Sequence, residues 1–194
     1  MSFRCDIGRS TILFDLDGTL LPMDNKEFER AYFKGLCGAI GEIPPQELMK
    51  SVWNGVRAMV TNDGTRTNRE AFAESFEQDG HDYYGNEERF LEYYRTEFQN
   101  CAKVCPITDV SRTIVHTLRQ KGYQVAVATN PIFPRVATWS RLRWLGLSPE
   151  EFPLVTTFEN SHFAKPDPKY YLEVCKKLGV SPKDCVMIGN DVEE

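Results

Sequence analysis

The chain has 194 residues, an apolar fraction of 41% and a net charge of −5 with acids and bases interspersed, which is enough for one α/β core and a small inserted domain. The charge pattern excludes the basic stripe or patch of a nucleic-acid footprint, and no apolar run approaches the roughly 18 residues of a membrane span. Residues 1–9 alternate polar and apolar without the apolar run of a secretion signal, so a soluble cytoplasmic protein without membrane contact is expected.

The first strong element is the apolar run Ser10-Thr11-Ile12-Leu13-Phe14, which ends abruptly in Asp15-Leu16-Asp17-Gly18-Thr19. It reads as a buried strand feeding a polar turn. From Asp24 the pattern is helical only. Asp24 with Glu27 has the spacing of a capping box, and Phe28, Tyr32, Leu36 and Ile40 follow at helical intervals before Gly41. Pro44-Pro45 opens a second helix with Leu48, Val52, Val56 and Met59 on one stripe. A third is expected to be capped by Asn68 and to carry Phe72 and Phe76, and a fourth spans about residues 87–98. Four helices and no strand predict a helical bundle inserted after the first strand.

An α/β rhythm then begins. Asp109 starts a helix stopped at Gly122, and residues 124–128 form a strand. A helix spans about 135–145, and a strand lies near 154–157. Asp167-Pro168 sits at the start of another helix, which closes at Gly179, and residues 185–188 form the last strand. Apolar strands alternating with helices predict a doubly wound parallel sheet covered on both faces. Such sheets bind ligands at the carboxyl ends of their strands. There this chain carries Asp15 and Asp17, Thr129 and Asn130, and Asp191, with Lys165 in the loop after the third strand. Taken singly, each is compatible with an ordinary turn or helix entry. Parallel topology would bring all of them to one edge.

These four segments, Phe14-Asp15-Leu16-Asp17-Gly18-Thr19-Leu20, Ala128-Thr129-Asn130, Ala164-Lys165-Pro166-Asp167-Pro168 and Ile188-Gly189-Asn190-Asp191, resemble the four ordered motifs of the haloacid dehalogenase superfamily. The resemblance runs from Ile12 to the C-terminus. It implies a Rossmann-like core, residues 1–23 and 103–194, with residues 24–102 inserted as a C1-type helical cap. It also implies a magnesium-dependent phosphohydrolase that acts on a small phosphorylated metabolite through an aspartyl-phosphate.

The chemistry suits these residue types. A carboxylate can attack a phosphate monoester in line if the acyl phosphate is hydrolysed in a second step. Asp15, leading off a rigid strand, is the candidate nucleophile. Asp17 is the candidate acid for the leaving oxygen and base for the attacking water. The dehalogenase branch lacks this second Asp, so carbon–halogen hydrolysis is not expected. Thr129 and Lys165 complete the catalytic set, and Gly18, Thr19, Thr129, Asn130 and Lys165 are candidate substrate contacts. Mg²⁺ is the expected cofactor because it favours hard oxygen ligands. The resemblance implies that Asp15 ligates it by side chain and Asp17 by its carbonyl. Asn190 and Asp191 both offer a further oxygen, and Asp191 is preferred for its charge. Glu193 or Glu194 could supply another acid.

The fourth motif departs from the family pattern, and the further helix and edge strand of the core are absent, so a fragment lacking the C-terminal part of the core is expected. Two rival readings are a phosphomutase of the same superfamily and a non-catalytic binding protein on the same fold. The repeated letters at Asp63-Gly64-Thr65, Thr61-Asn62 and Thr67-Asn68 follow no strand and read as turns. Arg57, Arg66, Arg69, Tyr83 and Tyr84 are possible substrate contacts, though a solvated face for the arginines and bundle core for the tyrosines are the simpler assignments. Six scattered cysteines, without C-x-x-C spacing, read as free thiols. The three histidines lack metal-ligand spacing.

Overall fold

A computed structural model describes residues 11–191; Glu193 and Glu194 lie outside them. Strand β1 (Thr11–Phe14) is central in a three-stranded parallel sheet, between β2 (Gln124–Val127) and β3 (Cys185–Ile188). Phe14 pairs with Val127 on one side and Ile188 on the other, so the three carboxyl ends are level.

Strand alternation divides the sheet between two apolar layers. Ile12, Phe14, Val125 and Val127 face a core shared with α5 (Val110–Gln120) and α6 (Arg135–Trp144). Leu13, Ala126 and Ala128 face Tyr170 and Val174 of α7 (Pro168–Leu178). This is the expected doubly wound core. On β3, however, Val186 and Ile188 are exposed, so that strand is not covered on both faces among the described residues.

Between β1 and α5 the described elements are helical: α1 (Asn25–Ile40), α2 (Pro45–Val60), α3 (Asn68–Gln78), α4 (Tyr83–Arg95) and a 3₁₀ segment, Glu97–Val104. Their apolar stripes interlock through aromatic side chains. Tyr32, Phe98 and Tyr94 form edge and stacked contacts with one another, and Phe133 from the sheet side joins them. The bundle and the larger sheet layer therefore share one continuous apolar core.

Local expectations fail where side chains had several partners to choose from. Asp24 does cap α1, but Glu27 pairs with Arg30 instead of closing a capping box. The capping box belongs to Thr67 and Glu70, and Asn68 is the first residue inside α3. Helix α4 starts a turn earlier than expected because Asp82 caps it by accepting from the Gly85 amide. The strand near 154–157 contracts to one bridge, Val127 to Val155, because Asn160 takes the next backbone groups, the Thr157 amide and the Val155 carbonyl.

Candidate active site

The level strand ends bring the expected polar residues together. Asp15 follows β1 directly, its amide donating to the Ile188 carbonyl, and is 5% exposed. Burial pushes its carboxyl above its ordinary value, against the pull of the nearby ammonium of Lys165. That ammonium, also buried, donates to Asp15 Oδ1 at 3.0 Å. Lys165 is held in turn by its amide, which donates to Asn130 Oδ1 at 3.2 Å. A charge pair spanning 150 residues of sequence is thus braced through the strand-end amide of β2.

Thr129 is buried and its carbonyl is fixed twice, by the hydroxyls of Thr156 at 2.7 Å and Tyr170 at 2.8 Å. Neither supporting residue was singled out from the sequence, where they fall within the strand near 154–157 and the helix after Pro168 without a distinguishing pattern.

The turn after β1 folds on itself through Gly18 to Leu21 and Leu21 to Leu16 backbone bonds. Gly18 has φ +77°, and a Cβ there would lie 2.5 Å from the Asn190 side-chain nitrogen. Only glycine allows that approach. Asn190 also accepts from the Thr19 hydroxyl at 3.1 Å. The end of β3 therefore meets the turn after β1 through Asn190, whereas Asp191 is exposed. Among the described residues, no three carboxylate, imidazole or thiolate side chains converge as a metal-binding group.

Asp17 has a partner that the sequence reading missed. Its Oδ2 is ion-paired with Nη1 of Arg141 on α6. Arg141 is fully buried, bonds the Thr138 hydroxyl and the Ala137 carbonyl, and stacks over the Phe133 ring with 4.3 Å to the centroid. Asp17 Oδ1 is buried too, with no hydrogen-bond partner. A signal for Arg141 did exist: it lies between Ala137 and Leu145 at four-residue intervals, on the buried stripe of α6.

A second missed group joins the helices to the strand-end loops. Asn68 donates from its side chain to the carbonyls of Pro131 and Phe163, and its amide donates to Ser161. Asn62 donates to Asn68 Oδ1 and to the Arg66 carbonyl. Both asparagines are buried, so they are not the plain turn residues the sequence suggested. Asp63 does form a turn, accepting from the Thr65 amide and hydroxyl.

Of the arginines considered as substrate contacts, Arg66 pairs with Glu74 and Arg69 with Glu87, while Arg57 is exposed. Tyr83 is buried and Tyr84 is half exposed. Asp17 opens on a cavity of about 410 Å³ walled by α1, α2, α3, α4 and residues 132–134.

Residues 10–194 match the family model described as haloacid dehalogenase-like hydrolase. A glyceraldehyde 3-phosphate phosphatase of Methanothermobacter thermautotrophicus is 24% identical over 94% of this chain and 77% of its own length. Phosphoglycolate phosphatase 1 of Pseudomonas aeruginosa is 28% identical over 93% of this chain and 63% of its own. A glyceraldehyde 3-phosphate phosphatase of Methanopyrus kandleri is 30% identical over 53% of this chain, and only 41% of that relative's length is matched. Among solved structures, a hydrolase from Pseudomonas syringae superposes with a TM-score of 0.55 at 17% identity, covering 95% of this chain and 77% of that one.

Proposed function

The chain belongs to the haloacid dehalogenase-like hydrolases, and from that premise we propose that it hydrolyses small phosphate monoesters through a phosphoryl group carried on Asp15. The observation that carries this reading is the arrangement of two carboxylates two residues apart: Asp15 buried against Lys165, and Asp17 held at one oxygen by Arg141.

Asp15 attacks the phosphorus, and the bond from phosphorus to the ester oxygen breaks. Asp17 gives that oxygen its proton and the alcohol departs. A water then attacks the aspartyl phosphate, Asp17 takes the water's proton, and phosphate leaves with Asp15 restored. Arg141 occupies Asp17 Oδ2, which leaves Oδ1 for the transferred proton. Lys165 balances charge on Asp15 and on the phosphoryl group. Thr129, Asn130, Gly18 and Thr19 are the phosphate contacts, with the Thr129 carbonyl fixed by Thr156 and Tyr170 and the Thr19 hydroxyl held by Asn190.

The local charges fit a divalent cation. Asp15 and Asp17 are matched by Lys165 and Arg141, so a phosphate dianion leaves this constellation net negative even when Asp17 carries the proton it gives to the leaving oxygen. The donors are hard oxygens, as Mg²⁺ requires: the Asp15 carboxylate, the Asp17 carbonyl, and an oxygen of Asn190 or Asp191. Bound there, the ion would offset charge on the phosphoryl oxygens.

We read residues 24–102 as a cap over a catalytic core of residues 1–23 and 103–194. The test is inorganic phosphate release from a panel of monoesters, run with Mg²⁺, with chelator, and with a bisphosphate primer. Release that needs Mg²⁺ and no primer, and that Asp15→Asn abolishes, is expected. Undiminished release after exhaustive metal removal, or from Asp15→Asn, would refute the assignment. Primer-dependent isomerisation without release would make the protein a mutase.

A further inference from the structure

The cavity beside Asp17 is large enough to be a ligand pocket, within the usual range of about 300–1,000 Å³, and its lining is one-sided in character. Phe28, Phe33, Val52, Phe72, Phe90 and Phe133 wall it. The charged residues that line it, among the described residues, are Asp17 and Glu29, both acids. The nearby cations are committed elsewhere, Arg141 to Asp17 and Arg69 to Glu87. The hydroxyls of Tyr32 and Tyr94 bond each other at 2.9 Å, so two of the polar groups in the wall are already satisfied.

Such a surface rewards an apolar group and penalises a charged one. Covering these rings removes apolar area from water, and Trp53 at the wall is still 48% exposed. A carboxylate or second phosphate placed here would lose its hydration with no cation to meet it, and would face two acids. Because Asp17 is the group that protonates the leaving oxygen, the cavity lies on the leaving-group side of the reaction.

We infer that this cavity receives an uncharged apolar leaving group, aromatic or branched aliphatic. The substrate class is therefore a monophosphate ester of an apolar alcohol or phenol, and not a carboxylated or doubly phosphorylated metabolite. The inference rests on the roles proposed above for Asp15 and Asp17.

Two measurements on the full chain separate the inference from that reading. In the first, kcat/KM is compared for benzyl phosphate and phosphoglycolate, both esters of primary alcohols. Benzyl phosphate should be favoured by at least about tenfold, the scale on which apolar pockets discriminate. Val56→Arg, which adds a cation to the wall on α2, should shrink that ratio. A preference for phosphoglycolate, or a ratio that Val56→Arg leaves unchanged, overturns the inference.

The second measurement needs no turnover. Phenethylphosphonate and phosphonopropionate, stable counterparts of the two esters, are titrated against the fluorescence of the wild-type chain, with Trp53→Phe identifying the reporter. Phenethylphosphonate should bind at least about tenfold tighter, equivalent to roughly 1.4 kcal/mol. Equal or reversed affinities overturn the pocket assignment even in an inactive protein. Tighter phenethylphosphonate binding without hydrolysis of either ester would sink the hydrolase reading and leave the pocket assignment standing.

Discussion

Arg141 brings a full charge into a site with no measurable exposure, and among the described residues its carboxylate partner is Asp17. Removing one partner of a buried pair costs roughly 3–5 kcal/mol. The 29% exposure of the Asp17 side chain puts Arg141→Met at the lower end. Arg141→Lys should regain much of the stability but little of the turnover. A single ammonium cannot serve Asp17, Thr138 and the Ala137 carbonyl together as the guanidinium fork does. Urea unfolding alongside kcat decides this: if Lys restores full kcat, Arg141 is a counter-charge and not a positioning residue. At this scale the strand-end groups were legible, because Asp15, Asp17 and Lys165 are polar residues set against apolar runs. Arg141 was harder to see, since an arginine on a helix is usually read as solvated. The sequence offered Asn190 beside Asp191 as an oxygen donor, but its contact with Thr19 and close approach to Gly18 depend on shape, which residue chemistry alone does not reveal.

Between elements, the loop joining α2 to α3 is the point of attachment to the strand-end loops. Gly64 has φ +88°, and a Cβ there would lie 2.2 Å from the Phe163 ring. Gly122 has nearly the same φ, +86°, with nothing within 4 Å. Left-handed backbone costs a non-glycine residue about 1–2 kcal/mol, and overpacking adds about 1–3 kcal/mol. Gly64→Ala should therefore destabilise the protein by at least about 1 kcal/mol more than Gly122→Ala, measured by denaturant unfolding. Equal losses would show that residues 62–68 do not bear on the core. Helix positions were readable from their 3.6-residue stripes and glycine stops. Most of their starts were readable too, as at Asp24, Pro45, Asp109 and Asp167; at α3 and α4 the caps Thr67 and Asp82 compete with neighbouring polar residues, and a sequence does not say which wins. The contraction of the strand near Val155 has the same origin, a side-chain amide displacing backbone partners.

Across the whole molecule, parallel topology was the most legible property, and it explains why residues as distant as Asp15 and Lys165 meet. What periodicity could not reveal is which apolar stripe faces which. The helices of residues 24–102 could have closed a core of their own; instead Tyr32 and Phe98 pack with Phe133, with Tyr94 against Phe98, and the cavity beside Asp17 opens at that junction. On the proposed reading the helices hold the leaving group while the strand ends, Asp15 and Asp17 among them, carry the chemistry, and the covalent step on Asp15 is the point on which that reading stands. The most direct test is to quench the protein with acid during turnover of an aryl phosphate and locate covalent phosphate by peptide mass spectrometry. Asp17→Asn should lose about 10²–10⁴ in steady-state rate yet accumulate phosphate on Asp15, because an aryl leaving group needs little protonation while the base for hydrolysis is gone. Asp15→Asn should carry none. Covalent phosphate on the Asp15→Asn chain, or none on Asp17→Asn while turnover continues, would contradict the account.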